Sequence, residues 1–241
     1  MKYKFNIGMD SEIEKYRIAT FESKEPETLR WIESFQDGDV FYDVGANIGL
    51  YSLFAASLYP NSIIYAIEPM ITNFLKIVFN RDRNKFENIN PIYGALGNHT
   101  GLEKLYIPKL TFLRQGVMPG ASGSQIGKPE NEIGSEYEVL TTHIVPCWRL
   151  IDLVYDFFLY RPQHIKIDVD GQEKEILEGC SFSDVKSMLI EWNKKNNPDL
   201  ISKMEKEGFT INNEFNRLEN HSKNRQNGEI ENVIFTRENC G

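Results

Sequence analysis

The stretch Asp43-Val44-Gly45-Ala46-Asn47-Ile48-Gly49 combines residue types that bind small charged ligands. It lies between a short β-rich run and a helical run, so the chain must reverse sharply there. Glycine at 45 permits positive φ and lets a ligand approach the main chain. The helix start beyond it offers free N–H groups and a positive dipole end, which suit a phosphate or a carboxylate. A tight turn without any ligand is the alternative at this point. Glu68, 23 residues beyond Gly45 and at the end of a second strand, adds an acceptor for two ribose hydroxyls. Pro69 stops that strand. The glycine spacing is Gly-x-x-x-Gly, not the Gly-x-Gly-x-x-Gly of dinucleotide folds. Asp43, two residues before the first glycine, would repel a pyrophosphate but suits a cationic amine. A ligand with amine, carboxylate and ribose, such as S-adenosylmethionine, fits better than NAD. A nucleotide-dependent oxidoreductase is therefore the disfavoured rival, and a non-catalytic binding protein on the same fold is the second.

A further acidic block, Asp168-Val169-Asp170-Gly171-Gln172-Glu173, closes another strand. Ligands of open α/β sheets bind at the carboxyl ends of strands, which makes Asp168 the leading site residue. It has three candidate roles: orienting a cofactor amine, taking the proton from an acceptor hydroxyl, or binding a divalent metal with Asp170. Extended backbone points Asp168 and Asp170 to opposite sides unless the turn at Gly171 alters that. Glu173 is either a second catalytic carboxylate or a first-turn residue favoured by the helix dipole. Lys166, inside a buried-strand pattern, calls for a carboxylate partner such as Asp168. The histidines are His99, His143, His164 and His221; His164 is a candidate base, with a structural role as the expected one. Trp192 either lines an acceptor pocket or packs in the core. Cys147, Cys180 and Cys240 show no metal-ligand spacing and read as reduced thiols.

Placing these residues together takes alternating strands and helices. Val40–Val44, Ser62–Ile67 and Ile89–Tyr93 read as strands, with helices over Leu50–Tyr59 and Ile71–Arg83. Phe74, Leu75, Val78 and Phe79 are the expected buried face of the second helix. Strand, helix, strand implies parallel pairing. Residues 1–38 read as an accessory segment, with two short strands within Lys4–Ile18 and a helix from Glu25 to Phe35. Residues 39–241 read as the main domain. Strands over Leu102–Ile107 and Tyr137–Val145 flank a loop at 116–134 that is rich in small residues and long enough to be a mobile or lid-like element. Trp148–Phe158 is an expected helix. Strands at His164–Val169 and Met188–Trp192 then alternate with helices at Gln172–Leu177 and Pro198–Glu207. Phe209–Phe215 and Glu231–Thr236 suggest a closing antiparallel hairpin.

The 241 residues hold 27 Lys and Arg against 35 Asp and Glu, a net charge of −8, and are 41% hydrophobic. That composition excludes wholesale disorder and fibrous repeats. The acidic balance argues against nucleic acid as a partner, since phosphate binding needs clustered cations. No apolar run approaches the ~20 residues of a membrane helix, and the N-terminus lacks a signal-like apolar core. The expectation is a cytoplasmic protein with no membrane segment.

The glycine block, with Leu50-Tyr51-Ser52, Ile67-Glu68-Pro69, Ala95-Leu96-Gly97 and the segment Ile165 to Glu173, resembles the FkbM family of S-adenosylmethionine-dependent methyltransferases. The likeness runs from about Phe41 to Gly179. It implies an α/β, Rossmann-like class I methyltransferase fold: a seven-stranded, mostly parallel sheet with helices on both faces and an antiparallel last strand. It also implies O-methyl transfer from S-adenosyl-L-methionine to a hydroxyl of a sugar, glycan precursor or related small metabolite. A divalent metal is compatible with the acidic block but is not predicted. Carried over residue by residue, Asp43, Gly45, Ala46 and Asn47 surround the methionine part, Glu68 holds the ribose, and Ala95 and Leu96 lie near the adenine. Ser122 and Ser124 close over the cofactor, Asp168 also contacts it, and Asp168 and Glu173 are the catalytic candidates. Asn47 stands where many methyltransferases have glycine, and asparagine tolerates the left-handed backbone expected there.

Overall fold

The computed structural model describes residues 5–109, 119–130, 135–216 and 230–237. His221, Cys240, the polar stretch at 219–229 and two parts of the 116–134 loop lie outside those residues. In chain order the elements are α1 (Glu12–Lys24), α2 (Pro26–Glu33), β1 (Val40–Val44), α3 (Leu50–Leu58), β2 (Ile63–Glu68), α4 (Ile71–Asn84), β3 (Ile89–Tyr93), β4 (Ala95–Leu96), β5 (Gly101–Pro108), β6 (Gln125–Ile126) and β7 (Val139–Trp148). They continue with α5 (Leu150–Tyr155), β8 (His164–Ile167), α6 (Glu173–Glu178), β9 (Ser187–Asn193), α7 (Leu200–Lys206), β10 (Thr210–Ile211), α8 (Asn213–Asn216) and β11 (Ile230–Thr236).

Seven strands pair in the order β10-β11-β9-β8-β1-β2-β3. The pairs among β9, β8, β1, β2 and β3 are parallel, whereas β11 runs antiparallel to both β9 and β10. Side chains of successive strand residues go to opposite faces. Phe41, Ile64, Ala66 and Leu189 join a core layer with α1, α2 and α3. Val40, Tyr42, Val44, Tyr65, Ile67 and Ile190 join the other layer, with Leu150, Ile176 and Met204 of α5, α6 and α7. A smaller sheet, ordered β4-β7-β5-β6, folds over the carboxyl end of the main sheet with its own core of Met70, Leu105, Ile107, Ala121 and Val145. It is an excursion between β3 and α5 that brings residues 121–126 back above β1 and β8.

Two expectations fail. Lys4–Ile18 does not form strands: α1 begins at Glu12, with Ser11 as its cap. The Ser11 hydroxyl accepts from Glu14 N at 3.1 Å, and Glu14 accepts from Asp10 N at 2.8 Å, a close relative of the capping box. Ser11-x-x-Glu14 was the legible helix-start signal. The helix does not stand apart, because Ile18 and Phe21 are buried with Leu53 and Phe54 of α3.

The second failure concerns α4. Its buried residues are Asn73, Lys76, Ile77 and Asn80, while Leu75 and Phe79 are 57% and 50% exposed. Polar groups occupy the inward stripe because the N-terminal segment and the small sheet supply partners for them. The Lys76 ammonium pairs with Asp10 and Glu14 at 2.5 and 2.8 Å. Asn80 accepts from Gly8 N and donates to Ile48 O. Buried polar groups with partners cost little, whereas unpaired ones cost about 1–3 kcal/mol each.

At the amino ends of the central strands, His164 is buried between Asp39 and Ser187, with 2.9 and 2.7 Å contacts, and the Phe35 ring stacks on it at 3.7 Å. Trp31 of α2 donates to the same Ser187 hydroxyl. Burial holds His164 below its ordinary pKa despite the Asp39 carboxylate. This network fastens α2 to the amino ends of the strands, which places His164 in a structural setting away from their carboxyl ends.

Candidate functional site

At the carboxyl ends of β1, β2 and β8 the chain builds a cleft of about 330 Å³. That lies within the usual ~300–1,000 Å³ of ligand pockets. Gly45, Asn47, Glu68, Ser122, Ser124 and Asp168, distant in sequence, all line it. Asp170, Glu191, Arg17 and Lys24 complete its charged wall.

The β1 turn is shaped by two main-chain bonds: Gly45 N and Ala46 N both donate to Ile67 O at 3.0 and 3.1 Å. Gly45 has φ +75°, Asn47 φ +51° and Gly49 φ +82°, so the chain takes left-handed backbone three times before α3 starts. A Cβ on Gly45 would lie 2.0 Å from Asp168 O. Glycine is required there by the neighbouring strand itself, in addition to any ligand. Asn47 uses its amide to donate to Ala121 O at 2.8 Å, tying the turn to the small sheet's loop.

Glu68 faces the cleft from the end of β2 and is buried. Its carboxylate accepts from Asn47 N at 2.8 Å and Met70 N at 3.0 Å, with the Asn73 amide at 3.4 Å. Burial nevertheless outweighs these donors and pushes its pKa up to about 7. Oε1 accepts from both Met70 N and the Asn73 amide, so Oε2, with Asn47 N alone, is the oxygen that keeps acceptor capacity for a further hydroxyl.

Lys166 and Asp43 are neighbours in register on β8 and β1 and face the helical layer. Asp43 is fully buried: it accepts from Ser52 Oγ at 2.6 Å, and Lys166 Nζ stands 3.8 Å away. Lys166 Nζ contacts Asp168 at 2.9 Å and lies 5.2 Å from the centre of the Tyr51 ring. Burial opposes its charge, but Asp168, Asp43 and Glu25 outweigh that and hold it above the ordinary lysine range. The carboxylate partner expected for Lys166 is therefore present. Asp43 balances this ammonium from inside the protein and does not line the cleft; Asp168 is the member of the trio that reaches it.

Asp168 and Asp170 line the same cleft despite their alternation, because Asp170 has φ +59° and turns the chain before Gly171. Asp170 accepts from Gly123 N at 2.9 Å. Glu173 is buried at the start of α6, where its Oε1 accepts from Val169 N at 3.2 Å and Gly171 N at 3.1 Å. Burial raises its pKa to about 8 against those bonds. It closes the turn that carries Asp168 and Asp170, and it borders a second cavity with Leu96. Ala46 is buried beneath the β1 turn, and Ala95 is buried where β4 pairs with β7; neither lines the main cleft. Trp192 is partly buried, packs against the core and donates to Asn197 O. Among the described residues no group of three His, Cys, Asp or Glu side chains is arranged to hold a metal.

The contributions that sequence reading missed come from α1 and α4. Ser11 donates to Pro119 O and Arg17 Nε to Gly120 O, at 3.1 and 2.6 Å. Asn73 accepts from Gly120 N and donates to Ala121 O. Residues 119–124 are thus clasped over the cleft from three sides.

Residues 43–211 match the model of the methyltransferase FkbM domain. The chain belongs to the FkbM methyltransferase family. It is 24% identical over 172 residues to the 31-O-demethyl-FK506 methyltransferase FkbM of Streptomyces tacrolimicus, covering 65% of each chain. It is 28% identical over 158 residues to methyltransferase 1 of Beauveria bassiana, covering 61% of each. The chain thus spans less than two thirds of the length of these curated relatives. Among solved structures, a candidate rRNA methylase from Clostridium thermocellum superposes with a TM-score of 0.53 at 8% identity, over 91% of this chain and 98% of that one. At that identity the likeness shows the fold: this FkbM-family chain has the class I methyltransferase architecture. The matched region starts after α1, so both basic residues lining the cleft, Arg17 and Lys24, lie outside it.

Proposed function

We propose that the protein is an S-adenosylmethionine-dependent O-methyltransferase acting on a hydroxyl of a sugar, glycan precursor or related small metabolite. The observation that carries this reading is the convergence of Gly45, Asn47, Glu68, Ser122 and Asp168 on one cleft within an FkbM-family fold. The cleft's chemistry suits the cofactor. Glu68, costly to ionise when unliganded, gains a hydroxyl donor from a ribose on Oε2. Asp168 faces the amine, and Arg17 and Lys24 offer the carboxylate its counter-charge. Bound there, S-adenosylmethionine supplies a methyl already activated by its sulfonium.

The protein's own work is then to position and to move one proton. Lys166 fixes Asp168 from below. Glu173 holds the turn between Asp168 and Asp170, and is a positioning residue in this scheme. Asp168, Asp170 and Glu191 line the cleft together with Glu68, and of these Asp168 is the proposed base. The acidic lining also supports leaving nucleic acid out of the acceptor set. No helix among the described residues is long and apolar enough to cross a membrane. The free thiols Cys147 and Cys180 support the proposed cytoplasmic location.

Thermal-shift titration tests the cofactor. S-adenosylhomocysteine at a hundred times its Kd should add about 2.7 kcal/mol, or roughly 5–10 °C for a domain of this size. Stabilisation by NADH but not by S-adenosylhomocysteine would overturn the reading in favour of an oxidoreductase.

A further inference from the structure

A buried amide stands between Glu68 and the segment that covers the cleft. Asn73 lies in the first turn of α4, is 2% exposed, and lines the cleft. An asparagine at a helix start ordinarily serves the helix's own free N–H groups. None of the side-chain bonds of Asn73 goes to α4. Its Oδ1 accepts from Gly120 N at 2.8 Å, and its Nδ2 donates to Ala121 O at 3.1 Å and to Glu68 Oε1 at 3.4 Å. Resting on the methyltransferase reading above, we propose that Asn73 is a positioning residue for the cofactor's ribose: it holds Glu68 so that Oε2 is the oxygen offered to a hydroxyl, and it ties that carboxylate to residues 119–124.

The bonds close a ring. Asn47 N donates to Glu68 Oε2 at 2.8 Å. The Asn47 amide donates at 2.8 Å to Ala121 O, the carbonyl that Asn73 also reaches. The circuit thus runs from Glu68 through Asn73, Ala121 and Asn47 back to Glu68. Gly120 N decides which way the Asn73 amide points, because an N–H needs the oxygen opposite it. The NH2 end is left to face two acceptors. With Met70 N and this NH2 group on Oε1, an incoming ribose hydroxyl meets Oε2.

The residue type follows from these partners. A leucine would bury more apolar surface here. It would also leave Gly120 N without its acceptor and Glu68 with one donor fewer. Aspartate would keep the Gly120 bond but set a second carboxylate against Glu68, and like charges in contact resist ionising together. An amide supplies an acceptor to the covering segment and a donor to the carboxylate from two separate atoms of one short side chain. Arg17 Nε and Ser11 Oγ fasten Gly120 O and Pro119 O from the α1 side, so the main chain that orients Asn73 is itself held.

The test measures calorimetric binding of S-adenosylhomocysteine and of its 2′-deoxy and 3′-deoxy analogues to the full chain. In the wild type, one of the two analogues should bind about tenfold more weakly, the loss of a hydroxyl bonded to an ionised carboxylate. Asn73→Asp should weaken S-adenosylhomocysteine about 10- to 100-fold and shrink that gap to about twofold, because the hydroxyl loses its oriented acceptor. A role confined to packing would weaken all three ligands by one factor and keep the gap, and that result overturns the proposal. So does S-adenosylhomocysteine affinity within about twofold of wild type in a folded Asn73→Asp protein. Asn73→Ser, too short to reach both Gly120 N and Glu68, takes its place if Asn73→Asp does not fold, with the same narrowing expected. If S-adenosylhomocysteine does not bind the wild type, the cofactor reading falls and this one with it. If it binds, and the gap is absent from the wild type or unchanged in the variant, the cofactor reading stands and this one falls.

Discussion

Gly45→Ala separates two reasons for a glycine in the β1 turn. A ligand approaching the main chain is one. The other is the contact with β8, where an added Cβ would stand 2.0 Å from Asp168 O and 3.1 Å from Val169 Cγ1. The nearer obstacle is backbone, and Asp168 N is itself bonded to Val44 O at 3.2 Å. Relief needs the strand ends to part by more than 1 Å. Overpacking of this kind costs about 1–3 kcal/mol. The φ of +75° adds about 1–2 kcal/mol for a residue with a Cβ. Together they give a loss of about 2–5 kcal/mol, read as a lower urea midpoint at unchanged m. S-adenosylhomocysteine affinity should fall in parallel, because the displaced backbone carries Asp168 and the Asn47 N–H that holds Glu68. A variant within ~0.5 kcal/mol of wild type and with unchanged affinity would refute the packing argument. Retained stability with lost binding would leave the ligand as the sole reason for glycine.

Lys166→Met leaves Asp43 buried without its cation, so it should cost about 3–5 kcal/mol in urea unfolding at pH 7. Adding Asp43→Asn should recover part of that loss, and strictly additive losses would disprove the pairing. Stability should also depend on pH through Glu173 and Glu68, whose folded pKa values of about 8 and about 7 lie above the ordinary 4.5. Both favour the protonated folded state, so their stabilisation is complete below pH ~4.5 and is lost as pH rises through about 7 to 8. His164, held low by burial, acts in the opposite sense, losing stability as pH falls below its ordinary 6.5. Glu173→Gln isolates the acid term, since a single amide oxygen can still accept from Val169 N and Gly171 N. It should flatten the slope and be the more stable protein at pH 8, by at most about 4 kcal/mol; an unchanged slope would count against the buried titration.

The alternation of β1, β2, β8 and β9 with helices was readable because those strands are buried on both faces and so read as apolar runs bounded by turn residues, whereas β3, at the sheet edge, is buried at Ile89 and half-exposed beyond it. The turn from Asp43 to Gly49 was readable for the same local reason, with Asn47 in the left-handed region as its residue type suggested. What stayed hidden was decided by contacts distant in sequence. Asn73, Lys76 and Asn80 look like a solvated helix face until Asp10, Glu14 and Gly8 pack on them. Asp43 looks like a ligand-facing acid until Lys166 arrives across the sheet. Arg17 reaches the cleft only because α1 lies against the loop at 119–124, a placement no periodicity encodes. Leu96 and Glu173, expected at one site with Asp168, are separated from it by the turn that Glu173 itself holds closed.

The strand order bears on how this fold can be moved or shortened. Residues resembling the family end at Ile211, within β10, yet β10 reaches the sheet only through β11, which pairs along the whole of β9 from Ser187 to Asn193. A chain cut at that limit would bare Met188, Leu189 and Ile190 on an open, apolar edge. Such an edge templates pairing between molecules, so the trimmed protein should aggregate. Grafting this fold into another polypeptide therefore requires the last strand to travel with it as an edge guard.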